Sequence, residues 1–220
     1  MTTPLLPQAF WFRLAMPCVR VDALPRASGR PLDLPVACRL PEFARLEGQT
    51  PWADVRAAWN PKGLGVAVEV ARSAGPAGRW ADAVNGLELW VDTRDTRDVH
   101  RATRFCHHFA AYLPPASKGP IAEPVVAQQP IARALANAPS AAPKAIRAWA
   151  ERLRAGGWRL EIFLSADALH GFDPDTNRRL GLYYQVIDAG LGDQFLGVGR
   201  EFPVGEDPSL WATLELRDGA

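Results

Sequence analysis

Gly86-Leu87-Glu88-Leu89-Trp90-Val91-Asp92 alternates without a break. In an extended chain Leu87, Leu89 and Val91 fall on one side and Glu88, Trp90 and Asp92 on the other. The run predicts a strand with one face in a core and one face outside it. A charged loop follows, and then Arg104–Leu113 reads as the antiparallel partner. Phe105, His107 and Phe109 lie on one of its faces, Cys106, His108 and Tyr112 on the other.

The same grammar extends in both directions. Upstream, Val55–Trp59 and Leu64–Ala71 flank Asn60-Pro61-Lys62-Gly63, a turn sequence, and together predict a hairpin. Phe10–Leu14 and Cys18–Val21 read as short apolar strands. Downstream, Pro114–Pro143 is rich in Pro and Ala and predicts a long surface excursion, with an edge strand at Val125–Ile131 between its prolines. Trp158–Leu164, Leu180–Asp188 and Leu210–Leu216 read as strands, and Ser165–Leu169 as one helical turn begun by Ser165. Ala145–Leu153 is two-sided: Ile146, Trp149 and Leu153 have helical spacing, whereas Gly156-Gly157 is a hairpin signal. About nine strands with little helix predict one all-β domain over residues 1–220, an antiparallel β-sandwich of jelly-roll or immunoglobulin-like type.

Composition agrees. The chain has 220 residues, 48% hydrophobic and 22% charged, which excludes disorder over most of its length. No apolar run approaches the roughly 20 residues of a membrane-crossing helix. The 25 basic and 24 acidic residues leave a net charge of +1, so no overall field draws in nucleic acid or an anionic membrane. The 20 prolines and 18 glycines are spread along the chain, as in a protein of many short segments. Cys18, Cys38 and Cys106 form no CxxC pair and suit a reducing compartment. The first residues show no basic stretch followed by an apolar one, so a cytoplasmic location is expected.

Five motifs follow one another in order: Leu64-Gly-Val-Ala-Val-Glu-Val70 after its turn, Asn85-Gly-Leu-Glu-Leu-Trp-Val-Asp92, Gly157-Trp-Arg-Leu-Glu-Ile-Phe-Leu164, Leu180-Gly-Leu-Tyr-Tyr-Gln-Val-Ile-Asp188 and the closing Asp207-Pro-Ser-Leu-Trp-Ala-Thr-Leu-Glu-Leu216. This ordered set resembles the family 9 carbohydrate-binding modules and their DOMON-like relatives. The resemblance runs from about Pro51 to Leu216. It implies a β-sandwich that binds sugar on or beside one sheet face, and it turns Ala145–Leu153 into a strand paired with Trp158–Leu164. Ser165 stands where many members have Pro, and Thr93–Arg104 is an insert. DOMON-type domains bind haem through a Met and a His, which here leaves only Met16 with His107 or His108. Calcium is also found in relatives, and Asp92, Asp95 and Asp98 are the carboxylates spaced to hold it, though without the Gly and distal Glu of an EF-hand loop.

Two constellations carry chemistry. The first is the loop Asp92–Arg101 with Cys106-His107-His108. Arg94, Arg97 and Arg101 with Asp92 suit hydroxyls or a carboxylate. A metal site from His100, His107 or His108 with Asp92 or Asp95 is the second reading, against which adjacent His107 and His108 point to opposite faces. A solvated loop of ion pairs is the third. The second constellation is a sheet face carrying Glu88, Trp90, Glu161, Tyr183 and Gln185, a mixture of rings and polar groups suited to a sugar or to internal ion pairing. Trp80, after Gly75-Pro-Ala-Gly78, is placed in a loop and reads as a stacking platform. The expected ligand-binding set is Trp80, Glu88, Trp90, Asp92, Arg94, Arg101, His108 and Gln185. No GxSxG, P-loop, HExxH or dinucleotide motif is present. Glu88 with Glu161 is a conceivable glycosidase pair, and Cys106 beside His107 reads as inert. The expectation is a non-catalytic module for a carbohydrate or another polyhydroxylated ligand. A haem binder and a protein-interaction module without a small ligand are the rivals.

Overall fold

The computed structural model describes residues 6–11, 15–72, 85–114, 121–154 and 156–219. Within them twelve strands form one hydrogen-bonded array. In chain order they are β1 (Ala15–Arg20), β2 (Ala53–Asn60), β3 (Gly63–Val70), β4 (Gly86–Asp92), β5 (Cys106–Tyr112), β6 (Ile121–Ala122), β7 (Val125–Gln129), β8 (Ile146–Arg152), β9 (Trp158–Ser165), β10 (Arg179–Asp188), β11 (Gly192–Phe195) and β12 (Ala212–Arg217). The order across the array is β6-β8-β9-β3-β2-β1-β12-β10-β4-β5-β7, and β11 adds to the far end of β10.

The array closes on itself as a sandwich because one face of each half is apolar. Leu64, Val66, Val68 and Val70 of β3 and Trp158, Leu160, Ile162 and Leu164 of β9 meet Leu87, Leu89 and Val91 of β4 and Leu180, Leu182, Tyr184 and Val186 of β10 in one buried cluster. The alternation of β4 is therefore kept: its three aliphatic side chains are fully buried, and the strand pairs antiparallel with β5, Leu89 opposite Phe109. β1 joins the halves and runs parallel to both β2 and β12.

Within Ala145–Leu153, Ile146–Arg152 is a strand, as the resemblance implies. β8 pairs with β9 along its whole length, Trp149 opposite Glu161. Its helical spacing is overruled by the edge of β9, whose amides need partners, and by the turn at Gly156-Gly157. A Cβ on Gly157 would lie 2.1 Å from the Val70 carbonyl oxygen, so no other residue fits that approach. The edge strand in the Pro-rich excursion is present as β7. Phe10–Leu14, by contrast, is not a strand over its described part: Gln8–Trp11 is a helical turn. β6 and β11 had no alternation to announce them.

The outer faces of the halves differ. That of β2, β3 and β9 is covered by the 21–41 segment, whose Leu24, Leu32, Leu34 and Cys38 pack with Ala58, Ala67 and Phe163 as a second cluster. That of β4, β5 and β10 carries Glu88, Trp90, His108, Tyr183 and Gln185, brought side by side by the register Gln185–Glu88 and Tyr183–Trp90–His108.

Candidate functional site

The polar face read from the sequence splits in two. Glu161 belongs to the other outer face, beneath the 21–41 segment, and is 1% exposed. Its carboxylate accepts from Arg30 Nε and Nη2 at 2.8 and 2.5 Å and from Leu32 N at 2.9 Å. It pins that segment to β9 and cannot share a cleft with Glu88. The glycosidase-like pair is thereby removed, because the carboxylates lie on opposite outsides of the sandwich.

Glu88, Trp90, His108 and Gln185 remain together. Glu88 Oε1 accepts from the Tyr112 hydroxyl at 2.5 Å, and Oε2 stands 3.1 Å from His108 Nε2. The bond to His108, then that to Tyr112, holds the Glu88 carboxyl below its ordinary range despite the opposing effect of burial. It is therefore an anion, and His108 Nε2 is the donor. Burial, then the carboxylate, pushes the Tyr112 phenol well up. Arg200 is near enough for its charge to act on both groups.

Trp90 is held rather than displayed. Its ring stacks on His108 at 4.3 Å between centroids, 7° from parallel, and meets Tyr183 edge-on at 5.6 Å. It is 4% exposed, so it presents no open ring face. Its N–H, Trp90 Nε1, and the amide nitrogen of Gln185 are buried and have no hydrogen-bond partner among the described residues. Gln185 is directly opposite Glu88. An unmet buried donor costs about 1–3 kcal/mol. Two such donors lie on one face, next to an anionic carboxylate.

The other expected residues fall elsewhere. Asp92 is 1% exposed, and its oxygens accept from Arg94 N at 2.9 Å and Thr96 N at 2.6 Å. Burial raises its carboxyl against these bonds. Both of its oxygens are thus bonded within the loop, which it helps to build. Arg94 lies over the Phe105 ring at 4.7 Å, and Arg101 donates to the Arg133 carbonyl at 2.8 Å. Both are exposed and apart from the Glu88 cluster; the fork of arginines over one ligand is not formed. Trp80 lies outside the described residues.

No group of three or more His, Cys, Asp or Glu able to hold a metal is gathered among the described residues. The expected calcium carboxylates are divided: Asp92 is committed to its loop and Asp95 to the Thr213 hydroxyl at 2.8 Å. The haem ligands do not converge either. Met16 is sealed in the core, His107 faces the His170 carbonyl at 3.3 Å, and His108 is on the outer face. Cys106 is buried with its thiol pushed up to about 12 by burial, which makes it inert as a nucleophile. Asp207 Oδ2 and Ser209 Oγ both approach the same nitrogen of His100, Nδ1, at 3.0 and 3.1 Å. A hydrolytic relay needs the acid and the hydroxyl on opposite ring nitrogens, so these three are not a triad.

The sequence showed Glu88, Trp90, His108 and Gln185. Alternation put Tyr112 on the face of His108 but could not bring it to Glu88, which depends on the β4–β5 register, and Arg200 depends on the path of the chain after β11.

No family model and no curated protein matches the sequence. Among solved structures the chain is similar to a family 9 carbohydrate-binding module from Caldicellulosiruptor kristjanssonii in complex with cellotriose, with a TM-score of 0.53 and 14% identity, covering 78% of this chain and 79% of that one. It is equally similar to the module from the same organism in complex with glucose, with a TM-score of 0.53 and 14% identity over 78% of this chain and 81% of that one. At that identity the likeness is one of fold. The chain has the β-sandwich architecture of the family 9 carbohydrate-binding modules.

Proposed function

We propose that this protein is a non-catalytic carbohydrate-binding module whose ligand lies on the outer face of β4, β5 and β10. The observation that carries the reading is the pair of unmet buried donors, Trp90 Nε1 and Gln185 Nε2, beside the Glu88 carboxylate. A sugar is neutral and dense in hydroxyls, each able to accept from such donors and donate to such an acceptor. The structural likeness to modules that hold cellotriose and glucose supports the same ligand class. Trp80, in the 73–84 stretch, is the ring proposed to stack on the sugar's C–H face.

Calorimetry against glucose, cellotriose and a broad set of other mono- and oligosaccharides is the test. At least one is expected to bind. Gln185→Met nearly keeps shape and removes one donor, Trp90→Phe removes the other together with part of the ring, and each, checked for an unchanged melting profile, is expected to weaken that binding roughly tenfold to a hundredfold. If the intact protein binds none of them, the carbohydrate reading falls.

A further inference from the structure

Next to the Glu88 face, a cleft of about 350 Å³ opens beside β10. It lies where the edge of β10 changes partner: residues 179–182 pair with β12 and 185–188 with β11, leaving Tyr183 at the gap. Its volume is at the low end of the range for small-molecule pockets. Phe10, Phe43, Tyr183, Phe202, Leu210 and Trp211 give it an apolar, largely aromatic wall. Phe10 closes one side by stacking on Phe202 at 5.3 Å between centroids.

The polar lining carries both signs. Arg97 lines the cleft, and its buried Nε has no hydrogen-bond partner among the described residues. The carboxylate oxygen nearest it, Asp95 Oδ1, is 3.4 Å away and already serves the Thr213 hydroxyl at 3.0 Å. Arg179 approaches the other Asp95 oxygen at 3.5 Å. Asp207, also on the cleft, accepts from Ser209 N at 2.9 Å through Oδ1 and meets His100 through Oδ2. A cation and an anion thus border one apolar space.

That arrangement selects among headgroups. A carboxylate gains Arg97 but is repelled by Asp207 and Asp95, and an ammonium meets the reverse. A hydroxyl accepts from a donor and gives to an acceptor without bringing charge into the cleft. We infer that the cleft binds a small neutral aromatic molecule bearing one hydroxyl, of the phenol class. The inference does not depend on the carbohydrate reading: Glu88, Trp90, His108 and Gln185 do not line the cleft, although Tyr183, which meets Trp90 edge-on, borders both.

Calorimetry at neutral pH with 4-ethylphenol, 4-ethylanisole and 4-ethylbenzoate tests it. The phenol is expected to bind. The anisole, which cannot donate, and the benzoate, which is charged, are each expected to bind about tenfold more weakly or worse. Arg97→Met is expected to lower phenol affinity severalfold, and Asp207→Asn, which keeps the bond to Ser209 N, to narrow the gap between phenol and benzoate. Ala212→Phe, checked for an unchanged melting profile, is expected to fill the cleft and remove all binding. If the intact protein binds none of the three, the site is overturned; if it binds the benzoate as tightly as the phenol, the ligand class is overturned.

Discussion

Replacing Glu161 with Ala separates a fastening role from a binding role. Glu161 is 1% exposed, and Leu32, whose N–H it accepts, is also 1% exposed. Truncation leaves that N–H without an acceptor, a loss of about 1–3 kcal/mol. Arg30 loses its best partner, but its side chain is 32% exposed and returns partly to water, so its share is discounted. Removing the buried methylene and carboxyl group leaves a small void worth roughly another 1 kcal/mol. The sum is about 2–4 kcal/mol, or a melting temperature lower by roughly 5–10 °C for a chain of this length. Glu161→Gln keeps one acceptor for Leu32 and is expected to lose about half as much. Thermal unfolding followed by circular dichroism reads both, with proteolysis in the 21–41 segment expected to quicken in the same order. A Glu161→Ala protein that melts like the parent refutes the fastening role, as does one that keeps its melting temperature but loses affinity for a sugar.

Two further outcomes follow from buried groups. Asp92→Ala frees the N–H groups of Arg94 and Thr96, and is expected to lower stability by about 2 kcal/mol in urea unfolding while leaving sugar affinity unchanged; a drop in affinity at constant stability would return Asp92 to the binding set. Burial holds His107 at about 4 against an ordinary 6.5, so between those values the unfolded chain binds a proton that the folded chain refuses. Stability is expected to fall as pH drops through that window, by up to about 3 kcal/mol, and His107→Phe to flatten the slope; an unchanged slope in the variant contradicts this.

How far the sequence reaches is clear from particular residues. Leu87, Leu89 and Val91 declared their side of β4 because a one-residue slip would place all three in water. β8 was legible only through its resemblance, since Trp149 and Ile146 have the spacing of a helix and the neighbouring edge of β9 decides the matter. Glu161 alternates in β9 as Glu88 does in β4, and nothing local says that the two strands lie in opposite halves. Its partner Arg30 is 131 residues away. Asp92 looked like a ligand group because a short-range loop bond and an open carboxylate have the same sequence. The cleft was not legible at all: it is made by a change of strand partner on β10, to which Phe10, Phe43 and Phe202 contribute from distant segments.

The central claim concerns the indole N–H of Trp90. Those of Trp59, Trp158 and Trp211 are bonded to the Arg217 carbonyl, the Asp188 carboxylate and the Val204 carbonyl, whereas that of Trp90 has no partner among the described residues. In a ¹H–¹⁵N correlation spectrum assigned through Trp90→Phe, titration with a sugar that binds by calorimetry is expected to move the Trp90 indole signal downfield and leave the other three nearly still. A sugar that binds while the Trp90 signal stays in place contradicts the account.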